Sequence, residues 1–368
     1  MVTKNIGRRG LAAVLGAAIA LALPVSAQAQ GDHAKTQAVL NAYQAESGPG
    51  AAVYGGDSAG SWQLTAGTGN TTAKKPIQPT EHFRIASQTK TFAAAVVLQL
   101  VDEGKVALDA PIEQYLPGVV TGNGYDGTKI SVRQLLQHTS GIPTNRTPKP
   151  KANPDGTYSL DAVVRDGLSL PPVSAPGAEW HYSNTNYEIL GMLIEKYTGT
   201  PVAQAITTRI IQPLGLTQTT FPAAGDRSVP NPAVRGYNGG RIGPVFYWFD
   251  VTTGVEPSLY SSSGAMISTQ QDLAAFDHAL LGGKVVSPAA LAEMQKTFPV
   301  GQGAGYGLGL SRVDLSCGGS AWGHSGSTPG YVSMTVVTGD GRHASLVTNA
   351  QIESPKLVSV LDSALCDK

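Results

Sequence analysis

The chain has 368 residues, 41% hydrophobic and 14% charged, with 44 glycines and 24 prolines. Its 26 lysines and arginines balance 26 aspartates and glutamates, so no net field draws it to nucleic acid or anionic lipid. No basic run interleaved with aromatics occurs, which argues against a nucleic-acid partner, and the length suffices for one large domain or two fused lobes.

Lys4, Arg8 and Arg9 precede an apolar run from Leu11 to Val25, and Ala27-Gln28-Ala29 follows as a small-residue cleavage site. This layout predicts a secretory signal peptide over residues 1–29, removed after Ala29. A membrane anchor is the alternative, but the run is short for a bilayer span and Pro24 interrupts it. Arg8-Arg9 leaves the export route open between the general and the twin-arginine pathways. The mature chain is expected to be secreted or periplasmic, or held in the cell-wall space, with no further membrane segment. Cys317 and Cys366 are the only cysteines, and an even count in an exported protein predicts a disulfide, with a buried free pair as the alternative. Closing that loop stabilises a fold by about 4 kcal/mol in the chain-entropy model.

In chain order, HAKTQAVLNAYQAE has the pattern of an amphipathic helix. Ala51–Tyr54 and Ser61–Ala66 carry β-suited residues around a Gly/Asp/Ser turn, which predicts a hairpin. From Gln88 to Glu103 apolar residues repeat every four positions and Gly104 follows, predicting a long buried helix with Ser87 at its N-terminus. The stretch 105–260 is loop-rich with short helices, clearest in SVRQLLQHTSGIP and NYEILGMLIEKYTGT, and Thr144–Thr157 reads as an exposed loop. A helix in STQQDLAAFDHALL leads to the strand-like YGLGLSRV and to GYVSMTVVTGDGRHASLVTNA, a hairpin turning at Asp340-Gly341. A last helix is expected over Pro355–Leu365. Strands at both chain ends imply one sheet, so residues 30–104 and 261–368 are assigned to an α/β lobe and 105–260 to a mostly helical one.

Two serines compete for the role of nucleophile. Gly56-Asp57-Ser58-Ala59-Gly60 fits the G-x-S-x-G elbow, which needs a strand, a sharp turn and then a helix. Trp62–Thr65 continues as a second strand instead, so GDSAG reads as a hairpin turn. Ser87 opens a helix, and Lys90 lies one turn on along the same face, in the only S-x-x-K of the chain. A hydroxyl needs a base, and a lysine that loses its proton through desolvation supplies one. The competing reading is a capping serine beside a solvated lysine. Tyr182-Ser183-Asn184 is the only Y-x-N and His324-Ser325-Gly326 the only H-x-G. Ordered as S-x-x-K, Y-x-N and H-x-G at long spacings, the three motifs match a known catalytic set.

That set, with FRIASQTKTF, LLQHTSGIP, APGAEWHYSNTNYEILGMLIEK, SSGAMISTQQDL and YGLGLSRVDLSCGGSAWGHSGSTPGY, resembles the serine β-lactamase and penicillin-binding-protein family across nearly all of the mature chain. The similarity is strongest to the exported D-alanyl-D-alanine carboxypeptidases of the Streptomyces type. It implies a two-lobed α/β (α+β) fold, with an antiparallel sheet from both chain ends flanked by helices. It implies Ser87 as acylated nucleophile, Lys90 as its base, Tyr182 as proton relay and His324 across from Tyr182. Asn184 would hold the acyl-side amide, and the backbone N–H groups of Ser87 and Ser327 would form the oxyanion hole. The positions of Cys317 and Cys366 are also similar to that group's single disulfide.

One departure bears on substrate choice. Relatives bind the substrate's terminal carboxylate with an arginine directly after the YGLGL run, where this chain has Ser311, with Arg312 next. Strand neighbours point to opposite faces, so Arg312 substitutes only if a bulge rotates it. Two supporting threonines are here Ser325 and Ser327. The leading expectation is a D-alanyl-D-alanine carboxypeptidase acting on a small molecule or peptidoglycan peptide, with β-lactams as inhibitors. The alternatives are an esterase, D-amino-acid amidase or transacylase on the same scaffold, or a penicillin-binding protein with little turnover. No metal or other cofactor is implied, the seven histidines lying without ligand spacing, and a monomer is the default.

Overall fold

A computed structural model describes residues 33–145, 148–242 and 245–367, together with Met1. The expected signal peptide, apart from Met1, lies outside the described residues. Among those described, no helix is long and apolar enough to cross a membrane.

After helix α1 (Ala34–Ser47), strands β1 (Gly50–Asp57) and β2 (Gly60–Gly67) pair as a hairpin from Gly50↔Gly67 to Asp57↔Gly60. Ser58 and Ala59 make its turn, where the Ala59 N–H donates to Asp57 Oδ1 at 2.7 Å. Ser58 is exposed there, with a strand and no helix behind it. Helix α2 (Thr89–Asp102) is buried at every residue from Thr89 to Leu98. Its run of alanines and valines lets neighbours close in on all sides, which a one-sided amphipathic helix does not permit.

The middle of the chain holds α3 (Val132–Leu136), α4 (Leu160–Leu168) and α5 (Asn184–Thr198), followed by a hairpin of β3 (Tyr237–Ile242) and β4 (Val245–Asp250). The sequence does not announce this hairpin. Its first strand, Tyr-Asn-Gly-Gly-Arg-Ile, is poor in β-suited residues and owes its conformation to the partner it pairs with. Then come the single-turn α6 (Ser261–Gly264) and α7 (Gln270–Leu281), whose Phe276 stacks on Phe92 of α2 at 3.7 Å.

Six late strands complete the sheet: β5 (Phe298–Gly301), β6 (Ala304–Tyr306), β7 (Ser311–Asp314), β8 (Ser320–Thr328), β9 (Tyr331–Thr338) and β10 (His343–Thr348). The order is β2-β1-β10-β9-β8-β7-β6-β5, antiparallel throughout. The first strand thus joins the last, with Ala51 opposite Thr348. YGLGLSRV is not one strand but the end of β6, a turn and most of β7, with Gly309 at φ +73° in the turn. One sheet face packs on α1 and the C-terminal helix α8 (Lys356–Cys366) through Leu40, Tyr43, Met334, Leu346 and Leu361. The other packs toward α2 and α7. Cys317, between β7 and β8, is disulfide-bonded to Cys366 at the end of α8.

Candidate active site

The site starts from a strained turn. Ala86, Ser87 and Gln88 form a short 3-10 turn leading into α2, and Ala86 has φ +47°. A left-handed alanine costs about 1–2 kcal/mol, so the turn persists only because its surroundings over-determine it. The Ile85 N–H donates to Met266 O at 3.1 Å, and Gln88 Nε2 donates to Ser333 Oγ at 2.8 Å. Strand β8 closes the other side. A Cβ on Gly326 would lie 2.1 Å from Ile85 O, so the glycine of H-x-G is what lets β8 reach the serine turn. Ser87 itself remains partly accessible.

Lys90, one turn along α2, is fully buried. Its Nζ lies 2.8 Å from Asn184 Oδ1, 2.8 Å from Ser263 O and 3.1 Å from Ser87 Oγ. The first two oxygens can only accept, so each takes an N–H. The third direction then holds either an ammonium proton or, once the amine is neutral, its lone pair aimed at the Ser87 hydroxyl. Burial pushes Lys90 down to about 7, against an opposing pull from Glu188. The amine form is therefore well populated at neutral pH, and the geometry suits it to take the serine proton.

Tyr182 approaches from the Y-x-N loop, and the Ser87 side chain interacts with its hydroxyl. Burial pushes the phenol well above its ordinary range, so it keeps its proton and can donate it. The loop is pinned by His138, a residue at φ +61°, whose carbonyl accepts from the His181 N–H at 2.9 Å and whose Nδ1 accepts from the Ser183 N–H at 3.2 Å. The His138 ring lies 4.4 Å from that of Tyr182.

His324 faces Tyr182 with ring centroids 6.4 Å apart. Its Nδ1 is 2.6 Å from Ser325 O, which only accepts, so Nδ1 carries the proton and Nε2 accepts from Tyr306 Oη at 2.9 Å. Burial and the nearby Lys90 push His324 down to about 3, so it is a neutral, oriented dipole in the site. Ser87, Asn184, Ser263, Ser327 and Gln351 line a small cavity of about 60 Å³ over the nucleophile. Among the described residues, no group of three or more His, Cys, Asp or Glu side chains is placed to hold a metal ion.

Arg312 does not take the place of an arginine at position 311 beside Ser325 and Ser327. It pairs with Trp322 while Ser311 pairs with Gly323, so Ser311 shares a sheet face with Ser325 and Ser327, and Arg312 has the opposite parity. No bulge interrupts this register. Its Nε forms an ion pair with Asp314 Oδ1 at 3.2 Å without hydrogen-bond alignment, and Nη2 donates to Oδ2 at 3.4 Å. Ser325 and Ser327 open onto a second cavity of about 340 Å³, whose rim Arg312 and Glu353 reach and whose walls include Val332, Met334 and Leu357.

Residues 36–358 match the family model described as Beta-lactamase. The chain belongs to the Beta-lactamase family. Within that family it is 39% identical to a D-stereospecific amidohydrolase from Streptomyces sp. of known structure, with a TM-score of 0.80 over 90% of this chain and 98% of that one. A D-amino acid amidase from Ochrobactrum anthropi SV3, solved with D-phenylalanine, is 28% identical, with a TM-score of 0.77 over 91% of this chain and 98% of that one. Esterase EstB from Burkholderia gladioli is 29% identical over 68% of this chain and 72% of its own length. The chain spans 31% of the length of the first curated relatives it matches. The large antiparallel sheet flanked by helices is the fold of these neighbours.

Four residues of this Beta-lactamase-family site escaped the sequence reading. His138 lies in the QHTSGIP run and Tyr306 opens YGLGL, so position within those segments was a signal for each. Ser263 acts through its carbonyl, which no side-chain pattern reveals, and Glu188 stands in an apolar helix with no motif around it.

Proposed function

We propose that the protein hydrolyses amides and esters of D-configured amino acids through an acyl-enzyme on Ser87. The reading is supported first by the coordination of Lys90, whose one free direction faces Ser87 Oγ. Lys90 takes the hydroxyl proton as Oγ bonds to the substrate carbonyl carbon. The resulting oxyanion is met by the backbone N–H groups of Ser87 and Ser327, a type of contact worth roughly 10²–10³ in rate per donor. Tyr182 gives its proton to the departing nitrogen or oxygen and is reprotonated from Lys90, assistance worth about 10²–10⁴. Water then attacks the acyl carbon, its proton passing back along the same groups while Ser87 regains its own.

The substrate class rests on Arg312. A free terminal carboxylate wants a bidentate guanidinium, yet the guanidinium here is engaged by Asp314, and Glu353 adds a negative charge to the same cavity rim. An amide or ester without a free carboxylate meets no such obstacle, and D-stereospecific relatives share most of this chain's length. Export belongs to the same proposal, and the Cys317–Cys366 disulfide is in keeping with an oxidising compartment.

The test compares turnover of D-phenylalanine amide and of a D-amino-acid p-nitrophenyl ester with that of a diacyl-D-alanyl-D-alanine peptide. Amide and ester turnover that exceeds peptide turnover and vanishes in Ser87→Ala is expected. Preferential release of D-alanine would instead establish the carboxypeptidase. A stable penicillin adduct on Ser87 without turnover of any substrate would leave a penicillin-binding protein. Full activity in Ser87→Ala, or its loss in Ser58→Ala, would overturn the scheme.

A further inference from the structure

The steps above leave Glu188 unused. It lies four residues after Asn184 on α5, one helical turn along the same face, and is 1% exposed. A buried carboxylate is expensive unless hydrogen bonds and a counter-charge offset its lost hydration. Here the offsets are thin. Glu188 Oε2 lies 3.2 Å from Ser262 Oγ, Ser263 adds further contacts, and Oε1 has no hydrogen-bond partner among the described residues. The Ser262 hydroxyl is also 2.8 Å from Tyr187 O, which can only accept. One proton cannot serve both contacts. Given to Tyr187 O, it leaves Ser262 Oγ to accept from a carboxyl that is itself protonated.

The same short helix that holds Glu188 also holds Lys90, since Ser263 O accepts from Nζ while Ser262 and Ser263 contact the carboxyl. Asn184, at the start of α5, binds Nζ from the other side. We propose that Glu188 is a positioning residue for Lys90: as a neutral acid it leaves the amine free to act as base, and as an anion it holds Lys90 as an ammonium. This rests on reading Lys90 as the base for Ser87. The other titratable groups around Lys90 are Tyr182, Tyr187, His138 and His324. Burial drives the tyrosines up and the histidines down, so all four stay neutral near pH 7. Lys90, pushed down to about 7, and Glu188, pushed up to about 8, change charge in the same range and titrate as a coupled pair.

Glu188→Gln retains the size and hydrogen-bonding capacity of the neutral acid but cannot ionise. Ammonium paired with the anion is then lost, and the acid limb of kcat/KM for an activated ester moves to lower pH by about half a unit, a gain of about threefold at its foot. Thermal melting confirms that the variant is folded. An acid limb unchanged in Glu188→Gln, in an enzyme whose activity Lys90→Met abolishes, overturns the proposal and leaves the base assignment standing. Full activity in Lys90→Met overturns both. A second readout needs no turnover. Infrared spectra of Ser87→Ala should show a protonated carboxyl that disappears around pH 8 and is missing from Ser87→Ala/Glu188→Gln. Asp277, also buried with its carboxyl pushed up, is present in both proteins and cancels. No difference between the two spectra overturns the proposal as well.

Discussion

Replacing Lys90 by methionine should abolish activity and change the pH dependence of stability in a calculable way. Burial lowers the lysine from 10.5 in the unfolded chain to about 7 in the folded protein. That gap corresponds to about 5 kcal/mol of destabilisation at and below pH 7, at about 1.36 kcal/mol per pH unit. For a base whose folded proton affinity is depressed, the unfolded chain binds more protons between the two values. Wild-type stability therefore gains about 1.4 kcal/mol per pH unit from this group between about pH 7 and pH 10.5. Methionine carries no such contribution. Against the gain at pH 7 stand Asn184 Oδ1 and Ser263 O, each losing a donor at about 1–3 kcal/mol, so the net stabilisation there is a few kcal/mol at most. The slope is independent of that offset. Glu188 titrates in both proteins, and any residue of its effect has the same sign. Urea unfolding of both proteins at a series of pH values from about 6.5 to 9.5 reads the difference directly. The advantage of Lys90→Met over wild type should shrink by about 1.4 kcal/mol per unit above pH 7. A difference that stays constant with pH would refute the reasoning.

Three other outcomes follow from the geometry. Gly326→Ala places a methyl group 2.1 Å from Ile85 O, which forces β8 and the serine turn apart by about 1 Å; kcat/KM should fall about 100-fold in a folded protein, and a near-normal rate would contradict the close approach. Nitrogen NMR of His324 should show the neutral Nδ1–H tautomer at neutral pH and a titration midpoint near 3, whereas a midpoint near the ordinary 6.5 would remove the buried dipole from the site. Cys317→Ser with Cys366→Ser should reduce unfolding free energy by about 4 kcal/mol with activity retained at low temperature, because neither cysteine lines the cavity over Ser87 and the bond acts on the unfolded ensemble.

The pairing of Ser87 with Lys90 was legible because it is local: three residues in a helix bring the two side chains within reach whatever the rest of the chain does. The dismissal of Ser58 was legible for the same reason, since β2 follows it within two residues. The β3–β4 hairpin was not, because its first strand has little intrinsic preference for the conformation. Nor was the split of YGLGLSRV, where a left-handed Gly309 turns the chain between β6 and β7.

By itself, then, the sequence determined which residue types stand ready for acyl transfer and on which turns they sit, since helical spacing and turn chemistry act over a few residues. Only the tertiary structure decided their charge and aim. The proton affinity of Lys90 depends on being sealed from water beneath α6 and α5, with acceptors 94 and 173 residues away in the chain. Glu188 and Lys90 share the residues of α6 only because α5 and α6 pack against α2. The parity of Arg312 and its pairing with Asp314 two residues on follow from the alternation of one strand, but which strand Ser311 and Arg312 lie beside required the register of β7 against β8. Desolvation and long-range pairing are properties of the packed chain, and no short window of sequence contains them.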